Sequence, residues 1–215
     1  MFIGHYAIAM LGKKYSPQLS LGTLFLSVQL VDLLWPIFLL AGLEHVKIEP
    51  GNTAFTPLNM INYPITHSLL GGIIWGGILA FIYYMVKKVK RSSIILGIGV
   101  VSHWILDLLM HKPDLPIYPG GAKYGFGLWN SVPGTFVVEL TLFAFGIYTY
   151  IKLTKPKDKT GNWLFWGLIV FLLSAWLSSA FGPPPPNVNV LAASALLLWL
   201  LVPWGYWIDR HRTIR

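Results

Sequence analysis

The chain has 215 residues, of which 55% are hydrophobic, 15% aromatic and 11% charged. A soluble domain carries about 25% charged residues, so there is too little polar surface here to cover a water-soluble globule, and the length counts membrane spans rather than soluble domains. With no cysteine, disulfides and thiolate metal sites are excluded; the formal net charge of +8 lies at the ends of apolar stretches, where it reads as topology and lipid contact, not nucleic acid.

In chain order, the first apolar segment is 2–12, about 16 Å long as a helix, or half a bilayer. The start, Met1 to His5, lacks a basic region, and Lys13 and Lys14 follow the apolar stretch, so no cleavable signal peptide is expected. Six spans follow, at 19–43, 66–86, 94–111, 132–152, 162–181 and 188–208, each ending at charge, proline or glycine. Between them lie two longer loops, from Glu44 to Pro64 and from Lys112 to Val132, and a stiff four-proline turn, Pro183 to Pro186.

The fold class is therefore all-α: a polytopic transmembrane bundle of six spans plus a short N-terminal half-helix. It reads as a single domain, 1–215, in which 1–154 supply the polar residues and 162–208, with no acidic, basic or histidine residue, form a scaffold pair. Of the 16 basic residues, only Lys47, Lys112 and Lys123 fall on one side of the six-span arrangement. The excess on the other side places both termini in the cytoplasm of an inner membrane.

Asp32 lies near the middle of the first span, where a charge costs at least about 2.5–3.5 kcal/mol. Nothing near it in sequence offsets that cost, so a partner must come from another helix. The third span carries His103, Asp107 and His111 at i, i+4 and i+8. They drift only about 80° around the helix and share a face, so an imidazole and a carboxylate can converge on one cation. His67 opens the second span, with Thr66 or Ser68 available as a cap, and Glu139 lies a third of the way along the fourth. Counted at about 1.5 Å per residue, Asp32 and Asp107 each lie about 20 Å from the cytoplasmic end of their span, His103 about 14 Å, and His5 about 12 Å from Lys13. Residues from five segments can thus meet between the midplane and the outer surface.

Taken singly, a membrane histidine commonly bonds a neighbouring helix, and a lone aspartate can serve a proton or ion pathway. His111 stands at a span end, as an interfacial residue or a ligand. Glu139 is either a site member or a structural partner. His45 and Asp114 read as loop residues at the mouth, and His211 as part of the basic tail. For His103, Asp107 and Asp32 together the balance favours a metal: no lysine or arginine within the spans neutralises the two carboxylates, so a cation or protons must.

The series Gly4-His5, Asp32, Thr66-His67-Ser68, Ser102-His103-x-x-x-Asp107 resembles the bacterial inner-membrane family called membrane-bound metal-dependent hydrolases. Its order also looks like the zinc core of phospholipase C and P1 nuclease. The similarity covers residues 4–111. It departs from the family where Asn62-Tyr63-Pro64-Ile65 replaces a basic motif, where Asp32 stands without a cluster, and where Thr135 precedes Glu139 in place of a histidine. The resemblance implies that Asp32, His67, His103 and Asp107 bind one zinc, that Asp107 bridges to a second held with His5, and that Asp32 acts as base. His111 and Glu139 stand as additional candidates. The implied activity is a metal-dependent phosphoesterase acting on a lipid or lipid-linked substrate from the outer leaflet. The alternatives are a proton- or cation-coupled transporter or channel using the same cluster, and a haem protein with His67 and His103 as axial ligands.

Overall fold

Hydrocarbon offers no water to backbone N–H and C=O groups, so a chain this apolar crosses it only as helices that satisfy themselves. The computed structural model describes residues 1–215, and six of its helical stretches are long and apolar enough to cross: Leu21–Leu40, Leu69–Lys87, Lys90–Met110, Val132–Leu153, Lys159–Phe181 and Val188–Arg210. They coincide with the six expected spans.

Before them runs α1, Ile3–Tyr15, followed by α2, Leu21–Leu40. The strands β1, His45–Ile48, and β2, Leu58–Asn62, form an antiparallel hairpin in the first long loop. A single turn, α3, Pro64–His67, precedes α4, Leu69–Lys87, and α5, Lys90–Met110. The second long loop holds the short pair β3, Leu115–Pro116, and β4, Lys123–Tyr124. Then come α6, Val132–Leu153; β5, Thr154–Pro156; α7, Lys159–Phe181; α8, Val188–Leu196; α9, Leu201–Arg210; and β6, Arg212–Ile214, which pairs with β5.

Two places differ from uniform spans, each for a local reason. The last span is interrupted by a 3-10 stretch, Leu197–Leu200, between α8 and α9. Pro203 has no N–H to give the carbonyl of Trp199, so the α ladder cannot run through. The second span starts at Leu69 rather than before His67: Ser68 is extended (φ −79°, ψ 154°) and caps α4 by accepting from Gly71 N. That break leaves His67 on its own turn, turned away from the axis of α4.

The N-terminal half-helix is not a surface feature. Ile3, His5, Ala7, Ala9 and Met10 are fully buried, and α1 packs between α2, α5 and α6. Without a hydrophobic drive between helices in lipid, such packing relies on small residues that let backbones approach. A Cβ added to Gly146 on α6 would lie 2.7 Å from the Cα of Ala7. At the basic end, Lys13 Nζ donates to Asp209 Oδ2 at 2.8 Å and to the Leu19 carbonyl at 2.6 Å, which ties α1 to α9. Outside the spans, Asp158 caps α7, and its hydrogen bond with His211 lowers its carboxyl below the usual range.

Candidate metal centre

Four elements bring the polar residues together. α2 supplies Asp32 from its interior. Four residues on, Pro36 lacks the N–H that would bond the Asp32 carbonyl, which loosens the helix at this turn. α3 supplies His67, α5 supplies His103 and Asp107, and α1 supplies His5. Asp32 Oδ1 lies 3.1 Å from His67 Nε2 and 3.5 Å from His103 Nε2. The two oxygens of Asp107 divide between neighbours: Oδ2 is 3.3 Å from His103 Nε2, and Oδ1 is 3.2 Å from His5 Nε2. The Met1 amino group also donates to Oδ1, at 2.5 Å. The rings of His5 and His103 stack with centroids 3.6 Å apart.

The proton positions of two histidines follow from their partners. His103 Nδ1 lies 2.8 Å from the Val28 carbonyl. A carbonyl only accepts, so Nδ1 carries the hydrogen and Nε2 faces the two carboxylates. His67 Nδ1 lies 2.7 Å from Thr66 Oγ1, and Thr66 Oγ1 donates to Glu44 Oε2 at 2.7 Å. With its only proton committed to Glu44, the hydroxyl accepts from His67 Nδ1–H, and His67 Nε2 is likewise turned to Asp32. Glu44, only 1% exposed, is fixed further by the Thr66 backbone N–H at 2.8 Å.

This arrangement passes a test of fit for a metal ion. Asp32, His67 and His103 form one group, and His5, His103 and Asp107 another, with ligand atoms in each within 4.8 Å of one another. His103 Nε2 is a buried nitrogen without a hydrogen-bond partner, placed between two carboxylates. An acceptor so surrounded needs a cation or its own proton; the Met1 ammonium supplies one positive charge to Asp107, which the sequence did not reveal, and leaves Asp32 facing histidines alone. Nitrogen and oxygen donors of this kind suit zinc and related divalent metals. A haem between His67 and His103 does not fit, because their rings are 5.5 Å apart and both contact Asp32 Oδ1.

The two additional candidates divide. His111 Nε2 lies 3.8 Å from Asp107 Oδ2, and its Nδ1 bonds Asp114 Oδ1 at 3.0 Å. Tyr63 OH donates to the same carboxylate oxygen at 3.1 Å. Burial, then the Asp114 charge, push the Tyr63 phenol well above its usual range and keep it protonated. His111 is therefore a buried ring, with only 2% exposure, oriented toward the cluster. Glu139 is turned to α1: its Oε2 accepts from Phe2 N at 2.9 Å and Gly4 N at 3.2 Å, and Oε1 from Trp176 Nε1 at 3.2 Å. These are the orphan donors of a helix start, so Glu139 seats α1 and with it His5.

Sequence reading missed Glu44, Tyr63 and Asp114 as parts of the site, with Glu44 and Asp114 among loop residues, and offered Thr66 as a cap, a role that Ser68 fills. Asp114 sits three residues beyond His111, a spacing that offered a signal. Glu44 offered none, because its partner is 22 residues away. The cluster opens into a cavity of about 220 Å3, whose lining includes Asp32, His67, Asp107, His111 and Glu139 together with Phe55, Leu58, Trp129 and Ala175.

A family model described as YdjM inner membrane protein matches residues 56–183. The matched stretch is more than half of the chain and includes His67, His103, Asp107, His111 and Glu139, while His5 and Asp32 precede it. No curated protein and no solved structure matches the chain. With six membrane-crossing helices and this match, the chain is an integral inner-membrane protein that belongs to the YdjM inner membrane protein family.

Proposed function

We propose that the protein is a membrane-embedded, zinc-dependent hydrolase, a phosphoesterase acting on a lipid or lipid-linked substrate. The observation that carries this reading is His103 Nε2, buried, unpaired and held between the carboxylates of Asp32 and Asp107 by a bond on its other nitrogen. Asp32, His67, His103 and Asp107 would hold one ion. His5, with Asp107 Oδ1, would hold another in the place that the Met1 ammonium takes, and His111 would join at the cavity side. When bound, a zinc pair stabilises charge on phosphoryl oxygens and activates water.

The rest falls to the chain's own residues. Asp32 has the most exposed carboxylate of the cluster, 21% against 3% for Asp107, and it faces the cavity. It accepts a proton from water there as general base. His67, oriented through Thr66, turns its Nε2 toward the same position as the Asp32 carboxylate. Phe55, Leu58 and Trp129 exclude bulk water from the cavity and leave apolar wall for the rest of the substrate. Residues 1–154 carry this site, and 162–208 brace it. The basic excess at the end bearing Lys13, Lys152 and Arg210 places both termini in the cytoplasm and the β1–β2 hairpin outside.

The same cluster in a transporter or channel needs a polar path onward. Beneath the site Met10, Phe25 and Val28 lie in the apolar core, but the Tyr6 hydroxyl and the Gln29 amide are buried as well, so the transporter is the second reading that the measurement below decides.

The deciding measurement is metal analysis of protein purified without chelator. One or two transition-metal ions per chain are expected, falling in His103→Ala and Asp107→Ala together with hydrolysis of a phosphodiester probe. Protein free of stoichiometric metal, with cation flux in proteoliposomes that is lost in Asp32→Asn, would instead establish the transporter.

A further inference from the structure

The outer ends of the last two spans are not accounted for by bracing alone. Toward the basic end, α7 closes on α9: Leu168, Ile169 and Leu172 are buried, and the rings of Phe171 and Trp204 lie 5.7 Å apart. Toward the other end the spans part. α8 packs on α2 and β1, with Ala192 its only buried residue. On the outer turns of α7, Ser178 and Ser179 are exposed and Ala175 is half-buried. The connector between them is Pro183–Pro186. A run of four prolines is an extended strut of about 12 Å, too stiff to fold into a tight turn, and it holds the two helix ends apart.

The cavity reaches the outer turns of α7. Ala175 and Ser179 form its α7 side, and Asp32, Asp107 and His111 line it at the cluster. Its volume of about 220 Å3 falls below the roughly 300–1,000 Å3 of sites that engulf a whole small ligand. A substrate that reaches the cluster must leave most of its bulk outside. What lies outside, at the level of the outer turns of α7 and α8, is the bilayer.

We infer that the gap between α7 and α8 is a lateral portal, through which an outer-leaflet lipid inserts a phosphate-bearing headgroup toward Asp32 and Asp107 while its acyl chains remain in the bilayer. The headgroup chemistry rests on the metal-site reading above; the route does not. Phe55 and Leu58 of the hairpin line the same cavity, with Phe55 beside Trp176 of α7, so the hairpin would cover the headgroup as it moves inward.

The test uses the full chain in phosphatidylcholine vesicles containing phosphatidylglycerol with a photoreactive diazirine high on one acyl chain. Adducts mapped by mass spectrometry are expected on Leu58, Ala175 or Ser179. Unlabelled phosphatidylglycerol removes them and inorganic phosphate does not. In the variant carrying Ala175→Trp and Ser179→Trp they fall to background, while adducts on Phe145, exposed on the α6 surface, persist. Labelling confined to outward surfaces, or competition by phosphate but not by lipid, overturns the portal. The competition arm uses the unaltered protein, so it decides even where the double variant does not fold. Each sample is also assayed for bound metal. Adducts in metal-free protein keep the portal and remove the metal reading, and metal-loaded protein without adducts does the reverse.

Discussion

Glu44 sets which nitrogen of His67 is free, and it does so without touching the imidazole. Its carboxylate accepts a hydrogen bond from the Thr66 hydroxyl at 2.7 Å, so the hydroxyl can only accept from His67 Nδ1–H. Replacing Glu44 by Gln keeps the shape but supplies an amide that can donate to Thr66. The hydroxyl is then released to donate to His67 Nδ1, and Nε2 acquires the hydrogen. Outer partners of this kind are worth about 10–100-fold in metal affinity, so Glu44→Gln is expected to lower zinc affinity by that factor. Competition against a chromophoric chelator measures it. Thr66→Val is expected to do the same, and the double variant to lose no more than Thr66→Val alone, because the two act through one bond. Additive losses would show that Glu44 acts by another route. The residues that sequence could reveal here were those whose spacing is set by one helix: His103 and Asp107 follow from the period of α5. Glu44 with Thr66, and Tyr63 with Asp114, meet across 22 and 51 residues of chain, and no local pattern encodes such a meeting.

At the scale of elements, α1 is the part on which the second half of the site depends. It reaches the bundle interior because Glu139 satisfies its first N–H groups and because Gly146 lets its backbone approach α6. A leucine at position 146 places side-chain atoms where Ala7 stands, an overpacking expected to cost about 1–3 kcal/mol. The displacement moves His5 away from Asp107, so Gly146→Leu is expected to lower the thermal midpoint in detergent and to reduce bound metal. Gly77 provides the control: a Cβ there meets nothing within 4 Å, and Gly77→Leu should leave both measurements unchanged. Equal losses in the two variants would remove the argument for α1. The spans themselves were legible, since hydropathy needs only composition over about 20 residues. The breaks were less so. Pro203 interrupts the last span and Ser68 parts His67 from α4, and both depend on local backbone bonding that an apolar window averages away. The β1–β2 hairpin was read as loop because Val46 and Ile48 gave too short an alternation to separate from a turn-rich segment.

For the molecule as a whole, the two ends of the bundle are built differently, and orientation follows from that asymmetry. One end is closed by contacts that bind the chain to itself: Lys13 to Asp209, Tyr150 OH to Asp209 Oδ1 at 3.0 Å, and the β5–β6 pair that joins the end of α6 to the C-terminus. The other end carries the β1–β2 hairpin over the cavity, with Lys112 Nζ donating to Asn52 Oδ1 at 2.5 Å. Cations concentrate at the closed end, which the positive-inside rule assigns to the cytoplasm. On that assignment the cavity, and any substrate that reaches it, is expected on the outer side. The absence of cysteine makes this directly measurable, since any introduced thiol is the only one in the chain. Ala54→Cys, exposed at the hairpin tip, is expected to react with a membrane-impermeant maleimide in spheroplasts. Lys155→Cys, exposed within β5, is expected to react only in inverted vesicles or after permeabilisation. Both positions lie outside the spans, so neither change should disturb packing. The opposite labelling would turn the molecule over and direct the cavity to the cytoplasmic leaflet; the geometry of the cluster would be unaffected, but its substrate would have to come from inside the cell.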